Sequence, residues 1–291
     1  MRTEFIKNLI TQARVKKNIF LLVAEIGYGV VEEFQQEFAD SFINVGVAEQ
    51  NMTGIAAGLA SEGYHVFTYS IANFPTFRCA EQIRNDIDYH NLPVTIVSVG
   101  GGLAYGSLGY SHHAIQDYGL LRMMPNFSIA SPGDPNEVKV TLKYLINNPG
   151  PSYLRLGKNN ETSYTSEKAT IKPGKWYGLK DNTGTEEVIL STGTALQWIM
   201  QNKKNFHNKD IFTIPIWGAK HKKEQLELSS NFSSITTVED HIHDCGFGSW
   251  FKEAVSIKKT NKEISNFALP LEIQYSVGKQ EDIMKKMSIN N

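Results

Sequence analysis

Several kinds of residue and pattern are scarce in this chain, and each scarcity excludes something. Of 291 residues only two are cysteines, Cys79 and Cys245. They lie far apart in unlike surroundings, so no disulfide framework is expected, and the expected compartment is the reducing cytoplasm. Neither sign of charge dominates: 29 Lys and Arg against 30 Asp and Glu leave a net charge of −1. The basic residues are dispersed, which excludes the electrostatic footprint of a nucleic-acid binder. No apolar run is long enough to span a bilayer, and the opening MRTEFIKNLI lacks the apolar core of a signal peptide, so no membrane partner is expected. The glycine-rich stretch GGGLAYGSLGYSHH (100–113) fits neither the dinucleotide fingerprint nor the phosphate loop.

What is present is an alternation of short apolar runs with longer helical patterns. Strands are expected at IFLLVA (19–24), FINVG (42–46), HVFTYS (65–70), VTIVSV (94–99), FSIAS (127–131) and SYLRL (152–156), with helices between them at 48–62, 78–90 and 136–147. Such alternation predicts an α/β fold built on a mostly parallel sheet with helices on both faces. Residues 158–185 are polar and read as a linker between a first domain, 1–157, and a second, smaller α/β domain, 186–291. The second domain has expected strands at VILST (188–192), IFTIP (211–215) and ITTVED (235–240). No internal repeat of fixed period occurs.

The most informative segment is GVAEQNM (46–52). Met52, Ile55, Ala56 and Leu59 recur at helical spacing, and Glu49 lies one turn before Met52 on the same apolar face. A carboxylate in a core is costly unless it has a specific partner. The alternative is a first-turn Glu that favours the helix dipole and points to solvent.

Other segments offer chemistry beside plainer readings. NFPTFRCAEQIRND sets Phe74, Phe77 and Arg78 after the third strand, where ligands meet parallel sheets; two Phe at this spacing also suit an ordinary core. His112 ends the glycine-rich loop at the expected entrance of a helix running to Met124, a position for proton transfer or for a structural role. EDHIHDC (239–245) has no second ligand pair at zinc spacing, so no metal site is assigned. Gly54 and Gly58 give the Glu49 helix a small-residue face suited to close packing, within the domain or against another subunit.

Taken in order, these segments resemble the C-terminal half of the transketolase family. GVAEQNM resembles the family's Glu-bearing helix, and FPTFR with EQIRND its pyrimidine-binding loop and helix. YSHHAIQDYGLLRMMPNFSIASPGDPNEV is similar to its active-site histidine with the pattern that follows. GPSYLRLGK resembles the strand that closes the domain, and VEDHIHDCGFGSW the C-terminal-domain strand and glycine turn.

The resemblance implies a thiamine diphosphate-binding fold: a pyrimidine-binding domain plus a transketolase C-terminal domain. It implies that Glu49 hydrogen-bonds the pyrimidine nitrogen para to the exocyclic amine, favouring the imino tautomer that removes the thiazolium proton. Phe74 would stack on that ring, with Phe77 and Arg78 lining the same wall. His112 would act at the substrate, beside His113, and Lys158 would stand where relatives carry an Arg for a sugar phosphate. The family's GDG diphosphate and metal motif does not occur in the sequence. The expected partner is therefore an N-terminal transketolase subunit carrying that motif and holding Mg2+ or Ca2+, in an α2β2 heterotetramer. Ser107 and Leu108 replace the family's Glu-Asp pair, and Gly100 a phosphate-binding histidine, which leaves the sugar donor open. The resemblance implies transfer of a two-carbon ketol unit between sugars. The alternative is a pyruvate-decarboxylating subunit of the deoxyxylulose-phosphate-synthase or 2-oxoacid dehydrogenase beta type.

Overall fold

The computed structural model describes residues 1–179, 181–206, 208–256 and 262–288. Six strands with the expected apolar runs build most of one sheet: β1 (Ile19–Val23), β2 (Phe42–Asn44), β3 (His65–Ile71), β4 (Val94–Val99), β5 (Ser128–Ala130) and β6 (Ser152–Leu156). β1, β4 and β6 are buried at every residue, as continuous apolar strands covered on both faces must be. The second sheet is formed by β7 (Tyr177–Gly178), β8 (Glu187–Ser191), β9 (Asp210–Thr213), β11 (Ser234–Ile242) and β12 (Glu263–Leu269). β10 (Ile216–Trp217) crosses over and pairs antiparallel with β5, so the first sheet has the order β10-β5-β6-β4-β3-β1-β2. The second runs β12-β11-β8-β9-β7, parallel except at β7.

Helices cover both faces of the first sheet. On one face, α1 (Arg2–Val15) buries Phe5, Ile6, Leu9, Ile10 and Ala13 at helical spacing, beside the later α6. α2 (Glu32–Glu37) is short. On the opposite face lies α3 (Glu49–Ser61), whose Met52 and Ala56 pack with Ile83 and Ile87. The helix expected over 78–90 is not uniform: a 3-10 turn Phe77–Cys79 leads into α4 (Ala80–Gln82), which continues as a π-helical stretch, Ile83–Asp88. The helix expected from His112 to Met124 is also corrected. His112 closes a 3-10 turn, Tyr110–His112, and α5 spans only Asp117–Leu121. α6 (Pro135–Asn147) starts where the sequence dictates, with Asp134 accepting from the Glu137 N–H and Pro135 in the first turn.

α7 (Ala195–Gln201), α8 (Gln225–Leu228), α9 (Phe247–Val255) and α10 (Gln280–Ser288) belong with the second sheet. Within 158–185, expected as a linker, several described residues are tied to the two units. Thr165 N–H and Oγ1 both donate to Asp134, and β7 adds Tyr177 and Gly178 to the second sheet. The two sheets share a core, because β10 carries Trp217 into a cluster with Tyr118, Phe247 and Trp250. No helix among the described residues is long and apolar enough to cross a membrane.

Candidate active site

The parallel strands deliver the segments singled out above to the carboxyl edge of the first sheet, where open α/β sheets place ligands. Glu49 is the first residue of α3, just beyond β2, and it is 1% exposed. The solvent-facing reading of this side chain is thereby excluded. Its Oε1 accepts a long bond, 3.3 Å, from Ser70 Oγ at the end of β3, and its Oε2 pairs with Arg78 Nη1 at 2.5 Å. The partner in this chain is thus a basic side chain of the same subunit, where a ring nitrogen was expected. Arg78 itself is 45% exposed at its side chain, so the buried acid is closed off by a cation that borders solvent.

From Arg78 the contacts continue. Its Cζ lies 4.9 Å from the centroid of the half-buried Phe74 ring, within cation–π range. Phe74 meets His112 edge-on at 5.2 Å between centroids, His112 lies 6.5 Å from Tyr105, and Lys158 Nζ sits 4.7 Å over the Tyr105 ring. Glu49, Arg78, Phe74, His112 and Lys158 therefore form one connected wall from four separate segments. His112 is half-buried, with Nδ1 2.9 Å from Ser111 Oγ.

Two residues expected at the site stand apart from that wall. Phe77 is 47% exposed and makes no ring contact with the described residues, because its 3-10 turn swings it outward from Phe74. His113 is buried and points into the loop, with Nε2 3.4 Å from the Gly106 carbonyl. Burial holds its pKa below the usual histidine value.

Buried hydrogen-bonding capacity is left over beside the wall. Asn73 donates to the His113 carbonyl, yet its Oδ1 is buried without a partner among the described residues, as are His113 Nδ1 and Gln82 Oε1. Native folds rarely leave such groups unmet, and here they flank Phe74, His112 and Arg78 in sequence.

Two residues that the sequence reading missed belong with this region. Tyr105 carries Lys158 on its face, and burial raises its phenol pKa. Arg2 opens α1, which runs opposite to β1 and so begins at the carboxyl edge. Its Nε is buried without a partner among the described residues, and its charge acts on both Tyr69 and Tyr105. The available signal was an arginine in the first turn of a helix leading directly into a parallel strand.

Fold and site together define a two-sheet α/β protein with an acid, an aromatic ring and an imidazole aligned along one carboxyl edge. Comparison with known proteins specifies it further. The family "Transketolase, pyrimidine binding domain" matches residues 1–162. A putative transketolase C-terminal section from Methanocaldococcus jannaschii is 31% identical, over 98% of this chain and 90% of its own length. An apulose-4-phosphate transketolase subunit from Phocaeicola vulgatus is also 31% identical, over 88% of this chain and 83% of its own length. A 1-deoxy-D-xylulose-5-phosphate synthase from Clostridium perfringens is 32% identical over 84% of this chain, which spans only 40% of that enzyme. Among solved structures, a split gene transketolase described as an inactive beta4 tetramer superposes with a TM-score of 0.82, at 26% identity, covering 98% of this chain and 92% of that one. The chain belongs to the transketolase family.

Proposed function

We propose that this chain is the pyrimidine-binding, C-terminal subunit of a transketolase assembled from two kinds of polypeptide. It moves a two-carbon ketol unit between sugars or sugar phosphates. The observation that carries this reading is the wall Glu49–Arg78–Phe74–His112, in which a buried carboxylate, a flat ring and an imidazole occur together at a strand edge. Extensive similarity to one relative named as a C-terminal section and to another named as a transketolase subunit supports the two-chain arrangement.

The residues present fit thiamine diphosphate. Glu49 is a buried acceptor whose charged partner among the described residues is partly solvent-exposed and free to be displaced, and unmet polar atoms on Asn73, Gln82 and His113 are available to a polar heterocycle. When bound, the cofactor supplies an acidic carbon that becomes the nucleophile toward a carbonyl. Glu49 holds a proton at the pyrimidine nitrogen para to the amine, and Phe74 provides the stacking face. Arg78 covers the acid, with Phe77 at the rim. His112 faces the reacting substrate and transfers a proton or stabilises developing negative charge. Lys158 and Arg2, neither in an ion pair with another described residue, bind an anionic sugar phosphate, and His113 sets the neighbouring backbone.

The functional units in this reading are 1–157, pyrimidine-binding, and 186–291, C-terminal, joined by the segment 158–185. The partner contributes the GDG diphosphate motif and the Mg2+ or Ca2+, two copies of each chain assemble, and the complex works in the cytoplasm. A second reading, condensation after decarboxylation of pyruvate, is favoured only by the synthase similarity and by Leu108 in the loop. Co-production with a chain carrying GDG, followed by thiamine diphosphate titration and assay, tests both. Ketol transfer from a ketose phosphate supports the first reading; carbon dioxide release from pyruvate without transfer replaces it with the second.

A further inference from the structure

A second charged cluster lies under the glycine-rich loop. Arg155, next to the carboxyl end of β6, is 2% exposed at its side chain. Its Nε donates to Asp117 Oδ2 at 2.7 Å and its Nη1 to Asp240 Oδ1 at 2.5 Å; Asp240 belongs to β11 of the second sheet. Nη1 also reaches Tyr118 OH, and Nη2 donates to the Ala114 carbonyl at 2.7 Å. Thr194, also of the second unit, donates to Asp240 Oδ2.

The loop rests directly on this cluster. Gly102 and Ala114 exchange both backbone hydrogen bonds at 2.9 Å, closing the loop at its base. A Cβ at Gly101 would lie 2.5 Å from Arg155 Cζ, and one at Gly102, where φ is +64°, 2.5 Å from Asp240 Oδ2. Only glycine permits that approach, and at Gly102 that backbone angle. The second unit touches the loop at two more places. Ile242 N–H donates to the Ile115 carbonyl, three residues after His112, and Gly278 N–H donates to the Gly106 carbonyl while Ile283 packs with Leu103.

We infer that Arg155 and Asp240 are positioning residues: they clamp the base of the loop at residues 102–114 and so let the second unit set where His112 stands. The functional part of this inference rests on the role proposed for His112; the mechanical part does not. The clamp holds both strands of the loop base, since Arg155 binds Ala114 on one side and lies against Gly101 on the other. Displacing His112 relative to the Phe74 wall misaligns a proton-transfer group without removing it. The expected signature is a loss in turnover rather than in cofactor affinity.

Hydrogen exchange of the loop amides, measured on the chain alone and on the assembled holoenzyme, tests this with Asp240→Asn and, as a second variant, Arg155→Lys, which keeps the charge and loses the fork. Thr213→Val is the control, because Thr213 Oγ1 makes a hydrogen bond between the units to Glu137, away from the loop. Asp240→Asn, or Arg155→Lys if the former does not fold, is expected to speed exchange over 102–115 roughly tenfold while 49–61 stays protected. In the holoenzyme, kcat should fall roughly tenfold or more, with cofactor affinity within about twofold. Thr213→Val should change neither. Wild-type loop exchange in both cluster variants, or equal loosening by Thr213→Val, overturns the inference. Loss of loop protection in an assembly that shows no ketol transfer even as wild type would leave the clamp standing and remove the proposed reaction instead.

Discussion

Among the described residues, two buried acid–arginine clusters have opposite character. Around Arg155 the guanidinium is sealed, and its donors reach two carboxylates, a phenol and a main-chain carbonyl. Around Glu49 the acid is sealed and the arginine borders solvent, one carboxylate oxygen is held by a long bond to Ser70, and neighbouring polar atoms lack partners among the described residues. In the first arrangement the guanidinium makes five hydrogen bonds, although Asp117 Oδ1 finds no partner among the described residues. The second is incomplete: water can receive the charge of Arg78, while the buried Glu49 then requires another partner in its place. Buried charge that is fully bonded maintains geometry; buried charge that is half satisfied is where a ligand can substitute.

Four substitutions put that contrast to the test. The largest stability effect is expected from Arg155→Met, which strands Asp117 and Asp240 in the interior: about 3–5 kcal/mol lost, read from the denaturant midpoint. Equal stability of that variant and wild type would erase the distinction. Phe74→Ala removes the ring between Arg78 and His112 and should weaken thiamine diphosphate binding about tenfold in the assembled complex, measured by titration.

A sealed group of another kind gives the next effect. His65 stacks on Phe67, bonds Thr95, and burial holds its pKa down to about 4. Because the unfolded chain binds this proton more readily, stability is full above the ordinary histidine pKa near 6.5 and falls as pH drops from there toward 4. The loss between pH 7 and 5.5 should be about 1 kcal/mol, and His65→Gln should flatten that part of the pH–stability curve. Smallest of all, Arg78→Lys keeps a solvent-bordering cation beside the buried Glu49 and should cost at most about 1 kcal/mol in thermal unfolding.

Much of this was legible in the residues. The continuous runs IFLLV, VTIVSV and SYLRL announced buried parallel strands, and each formed one. β7 and β10, two residues each, carry no period; β7 exists by pairing with β9, and β10 because the second unit folds against the first. β12, EISNFAL, alternates weakly at a sheet edge and gives no apolar run to recognise. The α/π break at 83–88 likewise leaves no mark in the apolar spacing.

At the site, Glu49 was legible because a carboxylate on an apolar helical stripe is expensive, but its ion pair with Arg78 was not, since sequence spacing cannot say which side chain crosses from one element to another. Phe77 was grouped with Phe74 on spacing that a 3-10 turn does not respect. Arg155 stayed hidden inside an apolar strand, and Arg2 within an ordinary amphipathic helix. Both act through neighbours that only the folded chain supplies.

The most direct measurement is hydrogen–deuterium exchange at the thiazolium C2 of thiamine diphosphate bound to the assembled complex, comparing wild type with Glu49→Gln. Glu49→Gln is expected to slow that exchange by roughly 100-fold or more while subunit assembly is unchanged. Exchange at the wild-type rate in a fully assembled Glu49→Gln complex would contradict the role given to the buried acid.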